Sequence, residues 1–190
     1  MREYDQIAEW YTAARSPTIG VADVGAFVRR LPPRARVLDL GCGDGIPITR
    51  SLVGAGLDVT GLDSSAEMVR RFRAALPGVP VRCERAETAR FPDDAFDAIV
   101  AWGVLFHLPE AGQRALIETV SAWLAAGGRF LFTSGDAEGV RVGTMDGVPF
   151  RYVSLGPDGY RRALKAAGLR LVDHYIGEGD NPVYIAERPR

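Results

Sequence analysis

The sequence predicts an α/β protein built on a doubly wound, mostly parallel seven-stranded sheet with an antiparallel C-terminal strand. Apolar strand-like segments alternate with helical segments over residues 36–133, and a glycine-rich turn follows the first predicted strand. This alternation favours a parallel sheet with helices on both faces. Only a short turn joins the last two predicted strands, so those two must be antiparallel.

Length and composition predict a single domain. The chain has 190 residues, of which 47% are hydrophobic and 25% are charged. We expect an N-terminal helical cap at about residues 1–33 and an inserted hairpin at about residues 134–156. A net charge of −1 argues against a nucleic-acid partner.

The cysteines and the apolar segments bear on disulfides, metal sites and membrane spans. Cys42 and Cys83 suggest neither a disulfide framework nor a metal site. The sequence shows no signal peptide and no apolar run long enough to span a membrane. We therefore expect a cytoplasmic protein without a membrane partner. We further expect a monomer or homodimer.

The helices are predicted from apolar spacing and from their ends. Apolar residues recur at helical spacing over residues 4–15, and a second helix over residues 21–30 stops before Pro32. Ser64 or Ser65 caps a later helix, and the spacing from Ser64 to Glu67 fits a capping box better. The other helices are expected at about residues 47–53, 109–125 and 157–167.

The strands are predicted from short apolar runs bounded by turn residues. The dipeptide Asp146-Gly147 suits a type I′ turn and predicts a β-hairpin. The sheet strands are expected at residues 36–40, 57–62, 79–84, 96–102, 129–133, 169–176 and 182–187.

Two features predict a ligand site at the carboxyl ends of the first two strands. Glycines at positions 41, 43 and 45 allow close approach of the backbone to a ligand, and Asp63 ends the second predicted strand. A carboxylate there suits the two hydroxyls of a ribose. The alternatives are a tight turn that holds no ligand, and an aspartate that serves only as a helix cap.

The spacing of the turn bears on which nucleotide binds. A dinucleotide-binding turn prefers G-x-G-x-x-G, but here the third glycine comes one residue early. Asp39 and Asp44 flank the turn and would repel a pyrophosphate. They better suit a ligand with positive groups, such as the ammonium and sulfonium of S-adenosylmethionine (SAM).

The motifs taken in order resemble those of class I SAM-dependent methyltransferases, which have a Rossmann-like fold. The resemblance covers residues 4–135 and rests on Asp39–Gly45, Gly61–Ser65, Phe96–Val100 and Gly127–Phe132. It implies that the Gly41–Cys42–Gly43 backbone contacts the methionine moiety of SAM, and that Asp39 orients the loop or meets the ammonium. It further implies that Asp63 and Ser64 lie at the ribose and that Met68 lies near the adenine.

The N-terminal segment, Tyr4–Tyr11, resembles the helix that covers the cofactor in relatives that act on small molecules. The resemblance implies that Tyr11 lies near the methionine end of SAM, and we place Tyr4 near the substrate.

One position departs from the family pattern. Arg85 occupies the place where many relatives carry an aspartate that binds the adenine amino group. Arginine has no acceptor for that group. We expect Glu84 or Glu87 to substitute for it, with the Ala86 amide meeting the ring.

The segment after the fourth strand supplies the candidate catalytic residue. His107, as a neutral imidazole, would remove a proton from the acceptor. Trp102 is expected at the cofactor, where an aromatic ring attracts the sulfonium, and Phe106 at the substrate; the alternative for both is a packing role. The alternative for His107 is a structural histidine bonded to a nearby carbonyl. The second histidine, His174, is expected to be structural.

The inserted hairpin supplies the remaining substrate contacts. Arg141, Arg151 and Tyr152, together with Phe150, are expected over the acceptor site. The alternative is a solvated ribbon that only caps the sheet.

The sequence therefore predicts a SAM-dependent methyltransferase, an EC 2.1.1-type enzyme, that methylates an oxygen or nitrogen of a small molecule and leaves S-adenosylhomocysteine. No metal site is expected. A SAM-binding protein without methyl transfer is the main alternative, and an NAD-dependent oxidoreductase is a weaker one.

Overall fold

The protein is described by a computed structural model that covers residues 2–190, so residue 1, where the expected helical cap begins, lies outside the described residues. Nine strands form two sheets. They are β1 (Arg36–Leu40), β2 (Asp58–Asp63), β3 (Val81–Cys83), β4 (Phe96–Ala101), β5 (Leu124–Thr133), β6 (Glu138–Met145), β7 (Val148–Leu155), β8 (Arg170–Ile176) and β9 (Pro182–Glu187).

Six α-helices flank these strands, and two short 3₁₀ turns lie at Leu105–His107 and Glu178–Asp180. The helices are α1 (Arg2–Ala14), α2 (Val21–Val28), α3 (Ile48–Gly54), α4 (Ala66–Ala75), α5 (Glu110–Trp123) and α6 (Gly156–Ala166).

The main sheet has seven strands in the order β3-β2-β1-β4-β5-β9-β8. Strands β1 to β5 pair in parallel, whereas β9 pairs antiparallel with both β5 and β8. The predicted fold class is therefore confirmed. Because the chain order reverses between β1 and β4, a crevice opens at the carboxyl ends of these two strands.

The sheet buries apolar side chains on both faces, as a doubly wound sheet requires. Alternate residues of β1 face opposite layers: Leu38 and Leu40 join the cluster that includes α5 and α6, and Val37 joins the cluster around α2 and α3. This packing fixes the strand ends from which the site is built.

Two local expectations are wrong. Ser65, not Ser64, caps α4, because its hydroxyl accepts from the Met68 backbone N–H at 3.1 Å. Strand β5 begins at Leu124 instead of residue 129, since the pairing with β4 shifts register between Phe96 and Ala98. Gly127 and Gly128 lie inside the strand, at the bulge that this register shift produces.

The expected hairpin around Asp146-Gly147 is present as a separate two-stranded sheet, β6–β7. Asp146 and Gly147 have φ values of 47° and 76°, as a type I′ turn requires. The hairpin lies against α1, α5, α6 and the Leu105–His107 turn. It therefore stands beside the carboxyl edge of the sheet.

Within the described residues, no helix has the length and apolar character needed to cross a bilayer. Among the same residues, no group of three or more histidine, cysteine or acidic side chains is arranged to hold a metal ion.

Candidate functional site

A cavity of about 190 Å³ lies at the carboxyl ends of β1, β2 and β4, beneath α1. Most of the sequence-predicted site residues meet there, although they come from segments far apart in the chain. Those that line it are Tyr4, Tyr11, Gly41, Gly43, Asp63, Ser64, Met68, Ala86, Glu87, Trp102 and His107.

The glycine turn forms the floor of this cavity. Gly41 has φ 76°, and a Cβ there would lie 2.2 Å from the Val104 side chain. Gly43 has φ 56°, and a Cβ there would meet nothing nearer than the Arg15 guanidinium at 4.0 Å. Gly41 is thus required by packing, whereas Gly43 leaves open space above the backbone of the kind a ligand would fill.

Asp63 is held rigidly at the end of β2. Its carboxylate accepts from the Gly43 N–H at 2.9 Å and from the Ser65 N–H at 2.8 Å. Burial raises the pKa of this carboxyl, and the two backbone hydrogen bonds oppose that rise. The glycine turn and the β2 end are therefore joined through one acid that borders the cavity.

Asp39 and Cys42 lie behind the cavity wall and do not line it. The Asp39 carboxylate accepts from the Thr49 hydroxyl at 2.5 Å, and burial raises its pKa to about 6. The Cys42 thiol is buried against Gly61, and burial raises its pKa. Of the two roles expected for Asp39, this geometry favours orienting the loop over contact with a ligand.

Arg85, where the sequence departs from the family pattern, lies at the far end of the cavity. The Arg85 guanidinium donates to the Glu87 carboxylate at 2.6 Å, and both residues line the cavity with Ala86. Glu84 also lines it, although Arg82 engages its carboxylate at 2.7 Å. Both candidate acids are therefore present but paired with arginines.

Helix α1 closes the cavity from above. The Asp5 carboxylate accepts from the Ser65 hydroxyl at 2.5 Å, and the Thr12 hydroxyl donates to Asp44 at 3.2 Å. These bonds tie α1 to the start of α4 and to the glycine turn. Two separate hydrogen bonds thus hold α1 over the cavity.

His107 lies among aromatic rings at the inner end of the cavity. Its Nε2 lies 3.0 Å from the Tyr4 hydroxyl. The ring centroids of Phe106, Tyr152 and Phe150 lie 4.6, 5.5 and 5.8 Å from that of His107. Burial lowers the pKa of His107 to about 4, so the imidazole is neutral at neutral pH.

A second cavity, of about 720 Å³, lies between the hairpin and the end of β5. Three of the predicted substrate residues, Phe106, Arg141 and Tyr152, line this cavity and not the first one. Arg151 lines neither cavity, because side chains alternate along β7 and Phe150 and Tyr152 occupy the face toward His107. The expectation that Arg151 reaches the substrate is not supported by this geometry.

A buried amide fixes the His107 turn to the hairpin. Gln113 is fully buried, and its Nε2 donates to the Leu108 carbonyl at 2.9 Å and to the Val153 carbonyl at 2.8 Å. Its Oε1 accepts from the Tyr160 hydroxyl at 2.6 Å, and that hydroxyl also contacts Ser134. Every hydrogen-bonding position of this side chain except one acceptor lone pair is used.

Sequence reasoning missed Arg15 and Gln113. Arg15 lines the cavity, and it follows Tyr11 by four residues on the same helical face, a spacing that could have found it. Gln113 gave no such signal, because two of its three partners, the Val153 carbonyl and the Tyr160 hydroxyl, are distant in sequence. The other lining residues that were not predicted are Leu40, Leu62, Gly103, Val104, Leu108 and Pro109.

His174 lies outside the first cavity, as expected. Its ring stacks on Tyr184 with centroids 4.2 Å apart. Its Nε2 lies 3.1 Å from an Asp136 carboxylate oxygen without forming a hydrogen bond.

A family model described as a methyltransferase domain matches residues 37–128. A ubiquinone biosynthesis O-methyltransferase of Photorhabdus laumondii is 30% identical over 105 residues, which are 52% of this chain and 42% of that protein. The chain thus matches less than half of the length of this curated relative.

Solved structures share the fold at low sequence identity. The CcbJ methyltransferase of Streptomyces caelestis superposes with a TM-score of 0.82 at 20% identity, over 99% of this chain and 98% of that one. The 1,6-didemethyltoxoflavin-N1-methyltransferase of Burkholderia thailandensis gives 0.76 at 18% identity, over 100% and 88%. With the strand order, the glycine turn and the acid at the end of β2, these matches show that the chain has the fold of the class I SAM-dependent methyltransferases and that residues 37–128 match the methyltransferase-domain family.

Proposed function

We propose that this protein transfers the methyl group of SAM to an oxygen or nitrogen of a small-molecule acceptor. The observation that carries the proposal is the cavity beneath α1, where Asp63, the open space above Gly43 and His107 border one volume. The O-methyltransferase and N1-methyltransferase names of the two relatives above support the choice of acceptor atom.

The residues present fit the nucleoside part of SAM. The Asp63 carboxylate is anchored by two backbone N–H groups and keeps further lone pairs for a pair of ribose hydroxyls. Met68 and Ala86 border the end of the cavity where the adenine would lie. Bound SAM would supply an activated methyl group on a positively charged sulfur.

Arg15 fits the amino-acid end of the same ligand. Its guanidinium lies beside the Gly43 backbone and over the Tyr11 ring, 5.6 Å from the ring centroid. Among the residues that the structure describes, Arg15 and Arg85 are the cations that line the cavity, and Arg85 is paired with Glu87. We therefore assign the methionine carboxylate to Arg15, because a guanidinium binds a carboxylate strongly.

His107 would accept the proton that the acceptor loses. A pKa of about 4 makes the imidazole uncharged but a weak base. A weak base is sufficient for an oxygen acceptor, because its O–H proton becomes strongly acidic as the new C–O bond forms. The Tyr4 hydroxyl, whose pKa burial raises, would hold the ring in place. Most of the rate enhancement would come from positioning the two reactants.

Calorimetric titration with S-adenosylhomocysteine and with NADH tests the ligand. We expect S-adenosylhomocysteine to bind and NADH not to bind. Tight NADH binding without any response to S-adenosylhomocysteine would contradict the proposal.

A kinetic comparison tests the role of His107. We expect His107→Ala to lower the rate of methyl transfer from SAM by about 10²-fold or more, with little change in the affinity for S-adenosylhomocysteine. An unchanged rate would remove His107 as the base while leaving SAM as the methyl donor.

A further inference from the structure

The second cavity, called here the hairpin groove, lies beside the cofactor cavity. We propose that this groove binds the body of the methyl acceptor and that the acceptor carries a protonated amine. The inference rests on the proposed function, because it identifies the class of molecule that would receive the methyl group.

The groove is placed to deliver a ligand to the reaction centre. Phe106 and Tyr152 line the groove, and their rings contact each other with centroids 5.6 Å apart. Both rings also contact His107, which lines the cofactor cavity. One layer of aromatic rings therefore lies between the two spaces, and a molecule in the groove would touch rings that also contact His107.

The groove wall leaves apolar side chains in contact with solvent. Val140 and Ile176 are 50% and 53% exposed, and both line the groove together with Pro182. Exposed apolar side chains gathered in a concave surface are typical of ligand-binding grooves. They favour an acceptor with an apolar body.

The charges of the groove favour a cation. Three carboxylates, those of Asp136, Glu138 and Asp180, line it against one guanidinium, that of Arg141. Within the described residues Glu138 and Asp180 make no ion pair, and Asp136 approaches only His174. An excess of negative charge in a cleft attracts cations and repels anions. The faces of Phe106 and Tyr152 add cation–π attraction for an ammonium.

Two probes of similar shape and opposite charge test the inference, namely tyramine and 4-hydroxyphenylacetate. Each is titrated into protein saturated with S-adenosylhomocysteine, while the methyl NMR signals of Val140 and Ile176 report on the groove and that of Met68 reports on the cofactor cavity. We expect tyramine to shift the groove signals and to bind at least about fivefold more tightly than the carboxylate probe.

Variants that each neutralise one carboxylate of the groove test which acids cause the preference for a cation. We expect Asp136→Asn, Glu138→Gln and Asp180→Asn each to weaken tyramine about two- to fivefold. Asn tolerates the positive φ of 57° at position 180, so that variant keeps the backbone conformation. Asp93→Asn makes the same charge change at an exposed site outside the groove and should have no effect.

Equal binding of the two probes, or tyramine shifts at Met68 without shifts at Ile176, would overturn the inference. Failure of S-adenosylhomocysteine to bind would instead contradict the proposed function. The two failures are distinguishable, because the probes are also titrated without S-adenosylhomocysteine and report the charge preference of the groove by themselves.

Discussion

Arg15 and Asp63 place two charges of opposite sign beside the glycine turn. Arg15 follows the last turn of α1 and lies beside Gly43, whereas Asp63 ends β2 and accepts a hydrogen bond from that same glycine. In the proposed function, Arg15 would bind the methionine carboxylate and Asp63 would bind the ribose hydroxyls. This arrangement separates the amino-acid part of the proposed ligand from its nucleoside part.

Substitutions of Arg15 and Asp63 should therefore weaken the binding of different sets of ligands. We expect Arg15→Gln to weaken S-adenosylhomocysteine about tenfold and to leave 5′-methylthioadenosine, which lacks the carboxylate, unchanged. Asp63→Asn should weaken both ligands, because both contain the ribose. Calorimetry measures the affinities, and Arg162→Gln serves as an exposed control. Equal losses for the two ligands in Arg15→Gln would contradict the assignment.

Residue types at strand ends could be predicted from the sequence, but side-chain partners could not. Asp63 and the glycines were found because the turn and the acid fall at fixed places in a strand–helix–strand pattern. Asp39 has the same residue type and an equally suggestive place, yet it is bound to Thr49 behind the wall. Its direction depends on the alternation of β1, which puts it on the α3 side.

Helix α5 joins the reaction centre to the hairpin through Gln113. The amide bridges the carbonyl that follows the His107 turn and a carbonyl of β7. Since both carbonyls accept from one side chain, Gln113 ties the His107 turn to the hairpin, in addition to the ring contacts that Phe150 and Tyr152 make with His107. Gln113 is thus a positioning residue that need not contact a substrate.

The variant Gln113→Glu replaces the donating amide nitrogen with an oxygen of similar size. We expect it to lower the free energy of unfolding by about 2 kcal/mol, because two buried carbonyls lose their donor. The ring NMR signal of His107 should shift, while that of His174 stays in place. Gln6→Glu, the same change at an exposed site, is the control for the unfolding measurement. An unmoved His107 signal would show that the bridge does not position the ring.

The hairpin shows the limit of sequence reasoning for whole elements. Its turn followed from two residues that accept positive φ, and the pairing of β6 with β7 follows from the turn. Which of its residues face His107 follows from where the hairpin packs, and that depends on α1, α5 and the His107 turn together. Arg151 and Tyr152, in contrast, are neighbours on one strand and must face opposite sides of it, so alternation alone separates them.

At the scale of the molecule, burial of His107 couples stability to pH. In the unfolded chain the residue has its ordinary pKa of 6.5, and in the folded protein burial lowers the pKa to about 4. As the pH falls from 6.5 toward 4, the unfolded chain therefore takes up a proton that the folded protein does not. Stability due to neutral His107 is fully present above pH 6.5 and is lost through this interval.

Comparison with His107→Gln should reveal this coupling. Relative to that variant, we expect the free energy of unfolding of the protein to fall by roughly 2 kcal/mol between pH 6.5 and pH 4. Asp39, whose raised pKa acts with opposite sign between pH 3.8 and about pH 6, is present in both proteins and cancels. Parallel pH profiles measured by urea unfolding would contradict the lowered pKa of His107.

The fold could be predicted because the sequence signals for strand, turn and helix recur in the same order from β1 to β5. The bulge in β5 could not, since it depends on how residues 125–128 fit between the pairs Phe96–Leu124 and Ala98–Arg129. The arrangement of two cavities was also beyond the sequence, because the ring layer between them brings together α1, the His107 turn and β7. The division into one domain with a helical cap remains a prediction.

The position of β9 has a consequence for how the chain folds during synthesis. Thr133 of β5 pairs with Val183 of β9, and β9 separates β5 from β8. Until residues 182–187 have left the ribosome, β5 therefore presents an unpaired edge that carries Phe130, Leu131 and Phe132. An apolar edge of this kind is prone to pair with other chains. The nascent protein is thus most exposed to misassociation in the interval between the synthesis of β5 and that of β9.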